Sequence, residues 1–134
     1  MRSETDVLAA NVAFYEAFAA RDIDAMDALW ARRAPVACIH PGWQPLRGRD
    51  AVIASWKAIL GGAGSPPITA HGAVVHVLGE AAFVVCVERL PGARLVATNV
   101  FVLEDGAWML VHHHVSAGGA SPATEEDEPP GLLH

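Results

Sequence analysis

The chain has 134 residues, 52 % of them hydrophobic, which is the size of one domain with one core. Nine Lys and Arg against fifteen Asp and Glu leave a formal net charge of -6 with the basic residues scattered, excluding the clustered cationic surface that nucleic acid or an anionic membrane requires. No stretch approaches the ~20 apolar residues of a membrane span, and no apolar block of signal-peptide length follows the charged N-terminus, so neither nucleic acid nor membrane is an expected partner and a cytoplasmic location is expected.

The first predicted element is a helix. Ser3 and Asp6 form a variant of the capping box, and Val7, Leu8, Asn11, Val12, Phe14, Tyr15 and Phe18 then follow the 3.6-residue period to about Ala20. A short second helix is expected with Asp24 as N-cap, Ile23 as the preceding staple, and Met26, Leu29 and Trp30 as its apolar stripe, stopped by Pro35. Val36–His40 alternates like a strand and is cut by Pro41-Gly42. After Gly48, Asp50 is the expected cap of a third helix that buries Val52, Ile53, Trp56, Ile59 and Leu60 and ends at Gly61-Gly62.

From Ile68 the period changes. Four Val-rich runs, about 68–78, 81–90, 94–104 and 107–116, are separated by Gly79-Glu80, Pro91-Gly92-Ala93 and Asp105-Gly106. Strands in series joined by short turns make an antiparallel meander, and helices first with strands later give an α+β fold: three N-terminal helices packed on one face of a strongly curved antiparallel sheet. The domain is expected to span 1–116. Residues 117–134, rich in Gly, Pro and acid, have the composition of an exposed tail, in which Leu132 and Leu133 are the only large apolar side chains available to dock.

Asp105-Gly106 is a two-residue hairpin signal and such a loop fixes register, so facing residues can be counted. Leu103 then faces Trp108, Phe101 faces Leu110, Asn99 faces His112 and Ala97 faces His114. The other face pairs Val102 with Met109, Val100 with Val111, Thr98 with His113 and Val96 with Val115. The first face carries the large aromatics and suits the helices, so the count places Asn99, His112 and His114 inside and leaves a β-branched face open as a homodimer surface. In the preceding hairpin a four-residue loop puts Cys86 beside Asn99 and Glu88 beside Ala97, whereas a three-residue loop puts Val85 and Val87 there instead.

Three blocks carry a family resemblance: Cys38-Ile-His-Pro-Gly-Trp43 with Leu46-Arg-Gly-Arg-Asp-Ala-Val52 and Ser55-Trp56; Ala97-Thr-Asn-Val-Phe101; and Asp105-Gly-Ala-Trp108 with His112-His-His-Val-Ser116. Over nearly all of 7–116 the chain resembles the SnoaL-like branch of the nuclear transport factor 2-like superfamily. The resemblance implies a cone of helices on a curved, cystatin-like sheet, a pocket between them, and a homodimer formed through the sheets. Members include ketosteroid isomerase, polyketide cyclases, dehydratases and non-catalytic association modules, so fold alone does not assign chemistry. The isomerase's catalytic aspartate and tyrosine find no counterparts here, since the sole tyrosine, Tyr15, sits in the first helix.

One reading is a mainly apolar pocket that binds, and isomerises or dehydrates, a small organic molecule. His112 or His114 would be the general acid or base and Asn99 the donor to a developing oxyanion, because a free imidazole titrates near working pH and an amide stabilises charge without titrating. Trp56 and Trp43 with Trp30 would be apolar walls, His40 a second polar point, Glu88 an acid/base partner and Cys86 its neighbour. The structural alternative has Asn99, His112 and Ser116 satisfying one another, Trp30 and Trp108 as plain core, and Glu88 as a rim carboxylate beside Arg89 or Arg94. A second reading is a non-catalytic dimerisation or ligand-sensing module. A third, carrying less weight, is a metal site on the His-x-His pair completed by His40 or Glu88. The preferred reading requires no cofactor and no metal. Cys38 and Cys86 read as buried reduced thiols, and His71 and His76, five apart, are expected on opposite faces of their strand.

Overall fold

A computed structural model describes residues 2–62 and 66–118. The elements are helices α1 (Arg2–Ala20), α2 (Ile23–Leu29) and α3 (Arg49–Gly61), and strands β1 (Ala37–Ile39), β2 (Leu46–Arg47), β3 (Thr69–Leu78), β4 (Ala81–Leu90), β5 (Ala93–Glu104) and β6 (Ala107–Ala117). They form one curved six-stranded sheet in the order β2-β1-β6-β5-β4-β3, with the helices on its inner face. The α+β architecture is therefore as expected, whereas the sequence reading assigns no partner to the strand at 36–40. It runs parallel to β6, pairing Ala37, Cys38 and Ile39 with His112, His113 and His114. The expected tail lies outside the described residues from position 119 onward. No described helix is long and apolar enough to cross a membrane.

The helix starts differ from expectation. Ser3 already lies within α1, so it is not the cap. Asp22, two residues before Asp24, caps α2 by accepting a hydrogen bond from the Ala25 N–H at 3.0 Å, and Gly48 at φ 88° precedes α3 in place of Asp50. The buried stripe of α1 is narrower than the apolar pattern: Val7, Asn11, Phe14, Tyr15 and Phe18 face the sheet, whereas Leu8 and Val12 are exposed. Phe14 and Phe18 meet Trp56 of α3 edge-on, with centroids 5.5 and 5.3 Å apart, which fixes the two long helices against each other.

The hairpins set what faces the helices. Asp105 and Gly106 both have positive φ, 52° and 80°, as a type I′ turn demands, and the register counted from them holds from Glu104–Ala107 to Phe101–Leu110. There the ladder slips. Val100 pairs with His112, leaving Val111 as an extra residue, and Asn99 then pairs with His113 and Thr98 with His114. A bulge inverts every side chain beyond it, so the inward histidine is His113, and His112 and His114 leave from the outer face. The β4–β5 loop is shorter than either expected length. Pro91 and Gly92 alone connect the strands, so Cys86 faces Ala97 and Glu88 faces Leu95. The loop is two residues shorter than the four-residue case, so both side chains stay on the inner face.

A second bulge lies in β3 between His71 and Val74, at Gly72 with φ 65°. His71 pairs with Val87 and His76 with Phe83, which share the outer face, so these histidines lie on one side of the sheet and not on opposite sides. His76 stacks on Phe83 at 4.6 Å.

Candidate functional site

The inner face of the sheet carries polar side chains where a simple core would be apolar. Asn11 and Tyr15 reach it from α1, one turn apart on the same helix face, and meet Cys86 and Glu88 of β4, Asn99 of β5 and His113 of β6. Asn11, Glu88, Asn99 and His113 are each no more than 2 % exposed. Polar groups buried this deeply need partners, and they find them in one connected chain.

The polarity of that chain can be read from its Glu88 end. Tyr15 donates its hydroxyl proton to Glu88 Oε2 at 2.6 Å, so its oxygen must accept, and Asn99 Nδ2 donates to it at 3.2 Å. Asn99 Nδ2 also donates to Asn11 Oδ1 at 2.9 Å. The Asn99 amide is thereby oriented with Oδ1 toward His113 Nδ1, 2.5 Å away, and His113 must donate from Nδ1. Its other nitrogen, Nε2, is left with a lone pair, 4.0 Å from Glu88 Oε2. Burial pushes the His113 pKa down to about 3, so the ring is neutral at pH 7. Burial pushes Glu88 up, partly countered by the Tyr15 hydrogen bond, and both members of the pair are moved toward their uncharged forms. Burial and the nearby Glu88 charge also raise the Tyr15 pKa, which keeps its proton in place.

A second buried imidazole stands 6.4 Å from the first, centroid to centroid. Ser55 donates to the Val52 carbonyl one turn back in α3 at 2.6 Å, so its oxygen accepts from His40 Nε2 at 2.9 Å and the His40 proton sits on Nε2. The Cys38 sulfur lies 3.6 Å from His40 Nε2 and 3.9 Å from Nδ1. Burial lowers His40 to about 4, and it pushes the Cys38 thiol up to about 12, with the Glu88 charge adding to the rise. Both cysteines are buried and free.

His40, Glu88 and His113 line one side of a cavity of about 560 Å³ whose remaining walls are apolar, with Phe18, Trp56, Ile59 and Leu95 prominent. The volume is in the usual range for a small-molecule site. Trp43, 45 % exposed, stands at the rim with its ring 4.8 Å from His40. Of the residues expected at a site, His40, Trp43, Trp56 and Glu88 line this cavity. Asn99 and Cys86 lie behind it: Asn99 is fully buried with its amide committed to neighbours, and Cys86 contacts the Tyr15 hydroxyl at 3.4 Å. Asn99 has no amide hydrogen directed at a ligand, so it holds His113 in one tautomer and does not serve as the expected oxyanion donor. His112 is half-buried and His114 exposed on the opposite face. The bulge, which no turn count from Asp105-Gly106 could register, is the cause. Among the described residues no group of three or more His, Cys, Asp and Glu is placed to hold a metal ion.

Asn11, Tyr15 and Ser55 are not among the site candidates read from the sequence, and His113 is placed there on the open outer face opposite Thr98, whereas it is buried opposite Asn99. For two of them a signal was present: Asn11 and Tyr15 are polar members of an otherwise apolar i, i+4 stripe, and a buried stripe tolerates such groups only with partners.

Residues 7–119 match the model of the SnoaL-like domain family. A solved Streptomyces avermitilis protein, designated a candidate dehydratase of the nuclear transport factor 2-like family, is 33 % identical, with 89 % of this chain and 98 % of that one covered and a TM-score of 0.81. A Thiobacillus denitrificans protein designated a candidate calcium/calmodulin-dependent protein kinase type II association domain is 39 % identical, with 81 % of this chain and 92 % of that one covered and a TM-score of 0.72. The F-box protein SKIP8 of Arabidopsis thaliana is 30 % identical over 112 residues, 82 % of this chain and 48 % of that protein, so the chain spans about half the length of this curated relative.

Proposed function

The chain belongs to the SnoaL-like domain family, and on that footing we propose that its cavity binds a small, mainly apolar organic molecule and transfers a proton on it, with His113 as base and Glu88 as its acid partner. The observation that carries this reading is a neutral His113 in the cavity lining whose Nε2 keeps a lone pair 4.0 Å from a carboxyl group that burial pushes toward its protonated form. Such a pair suits dehydration of a β-hydroxy carbonyl compound. His113 Nε2 takes the proton from the carbon beside the carbonyl, the electron pair forms the double bond, the C–O bond breaks, and Glu88 delivers its proton to the departing hydroxyl as water. Passage of the proton from His113 back to Glu88 restores the pair. The similarity to a candidate dehydratase supports the same reading.

The test pairs His113→Gln and Glu88→Gln with small β-hydroxy ketones, followed by enone absorbance and by deuterium uptake from heavy water. Turnover in the parent that falls at least about 100-fold in His113→Gln, with the ligand still bound, supports the assignment. Undiminished turnover in His113→Gln overturns it. Ligand binding without turnover by the parent chain would favour a sensing module instead.

The outer face of the sheet is proposed as a homodimer surface. Val85, Val87, Val96 and Val100 are half-buried there, Val74 is 54 % exposed, and the helices all lie on the other side. The similarity to a candidate association domain supports self-assembly.

A further inference from the structure

We infer that the ligand of this cavity is an uncharged molecule carrying at least two hydrogen-bond donors, a diol or diphenol on an apolar ring, and not a carboxylate or other anion. The inference rests on the proposed binding role of the cavity and specifies its ligand class.

It follows from where the protons of the wall are held. His113 has committed its only N–H to Asn99 Oδ1, and His40 has committed its only N–H to Ser55 Oγ. Each ring therefore has one nitrogen that can only accept: Nε2 of His113, with Glu88 Oε2 4.0 Å away, and Nδ1 of His40, with the Cys38 thiol at the long distance of 3.9 Å. The third polar side chain in the wall, Glu88, accepts from Tyr15 at one oxygen and, in the protonated form that burial favours, offers a single O–H. Apart from the Glu88 proton, the donors nearby are spent or sealed. Asn99 Nδ2 is bound to Asn11 and Tyr15, the Tyr15 hydroxyl is bound to Glu88, and the Trp56 indole N–H is buried without a partner or access to the opening. Among the described residues no Lys or Arg lines the cavity. An anionic ligand would meet two lone pairs in an apolar enclosure, with a single Glu88 O–H and no cation to compensate its lost hydration. A neutral ligand with two hydroxyl groups would supply the protons that both imidazoles lack, while its ring filled the space between Phe18, Trp56 and Leu95.

The arrangement discriminates by unsatisfied acceptors. A ligand of the same shape without donors covers the two nitrogens and leaves them unpaired, which weakens binding by about 10- to 100-fold for two neutral hydrogen bonds.

A naphthalenediol, its dimethyl ether and the corresponding naphthoate, titrated against tryptophan fluorescence at pH 7, distinguish the cases. The expected result is that the diol binds at least about tenfold tighter than the ether and the naphthoate binds weakest, with the diol's advantage over the ether reduced in His40→Phe and in His113→Phe. Should either variant fail to fold, His40→Leu and His113→Leu serve the same purpose, because each removes the accepting nitrogen and should likewise shrink the diol's advantage over the ether. Equal binding of diol and ether, or preferred binding of the naphthoate, overturns the donor requirement while leaving a ligand site in place. Binding of none of the three overturns both this inference and the binding role on which it rests.

Discussion

Two imidazoles held neutral inside the fold should make this protein acid-labile, by an amount that follows from their pKa values. Burial holds His113 at about 3 and His40 at about 4, whereas each titrates near 6.5 in an unfolded chain. Below pH 6.5 the unfolded chain takes up protons that the folded chain refuses. Stability from each group is thus complete above 6.5 and is lost as pH falls toward the folded value. The slope is about 1.4 kcal/mol per pH unit for each histidine, or about 3 kcal/mol from each by pH 4. Together these losses rival the roughly 5–15 kcal/mol that holds a typical domain folded. Glu88 acts in the opposite direction. Its raised pKa means the folded state keeps a proton that the unfolded carboxylate gives up, so falling pH favours the folded state through that window and offsets part of the loss.

The clean measurement compares the parent with His113→Gln, whose side-chain amide can still donate to Asn99 Oδ1. Urea unfolding followed by tryptophan fluorescence, in half-unit steps from pH 7 to 4, gives both stability curves. The variant should be less stable at pH 7 through imperfect packing, yet should lose about 3 kcal/mol less than the parent by pH 4. Parallel curves would show that His113 is not held neutral by the fold, and the proton-transfer assignment would fall with it.

Replacing Asn99 by Leu removes the partner of His113 Nδ1, Asn11 Oδ1 and the Tyr15 oxygen at once, and should cost about 3 kcal/mol in chemical denaturation; a loss under about 1 kcal/mol would show that the buried chain relaxes without it. Deleting Val111 converts the β6 bulge to a regular ladder with Phe101–Leu110 and Val100–His112 still paired, so His113 should stay opposite Asn99 at a cost of about 1 kcal/mol in lost packing. Its ring resonances should then remain those of a neutral imidazole at pH 5, and titration near 6.5 would contradict the assigned register. Val100→Glu places a carboxylate at the middle of the outer sheet face and should shift sedimentation from dimer to monomer without changing the ligand affinity of the cavity. Unchanged sedimentation of a dimeric parent would move the interface elsewhere.

What was legible in the sequence had a periodic cause. The 3.6-residue stripes located three helices, and the turn pairs at Gly79, Pro91-Gly92 and Asp105-Gly106 delimited four strands to within a residue or two, because turn chemistry and side-chain alternation are local. The pairing of β1 with β6 was not legible. A three-residue strand inserted parallel to the last one, some 75 residues later, is chosen by the tertiary fold and leaves no local mark. The helix caps were misplaced for a related reason: Asp22 and Asp24 are equally good cap residues, and it is the turn from α1, with Arg21 at φ 54°, that decides between them.

The histidine triplet shows how much chemistry can depend on one unmarked residue. Counting from the Asp105-Gly106 turn is sound as far as Phe101–Leu110, and only Val111 separates that correct register from its inverse. Nothing about a valine in a Val-rich strand announces a bulge, unlike Gly72, whose positive φ offers at least a glycine to notice. The energetic reason for the bulge lies on the other strand. With a regular ladder Val111 would stand opposite Val100 and His112 opposite Asn99, which would break the pairing of His112 with Ala37 of β1. The bulge therefore accommodates one surplus residue between the Trp108–Leu110 segment packed at one end of the core and the β1 pairing that begins at His112. Trp30 bridging to Leu110 on one side and Ala37 pairing with His112 on the other fix both ends. Between two such anchors the strand must absorb the extra residue locally, and in doing so it points a single histidine inward, where Asn99 dictates its tautomer and the ring joins the lining of the cavity.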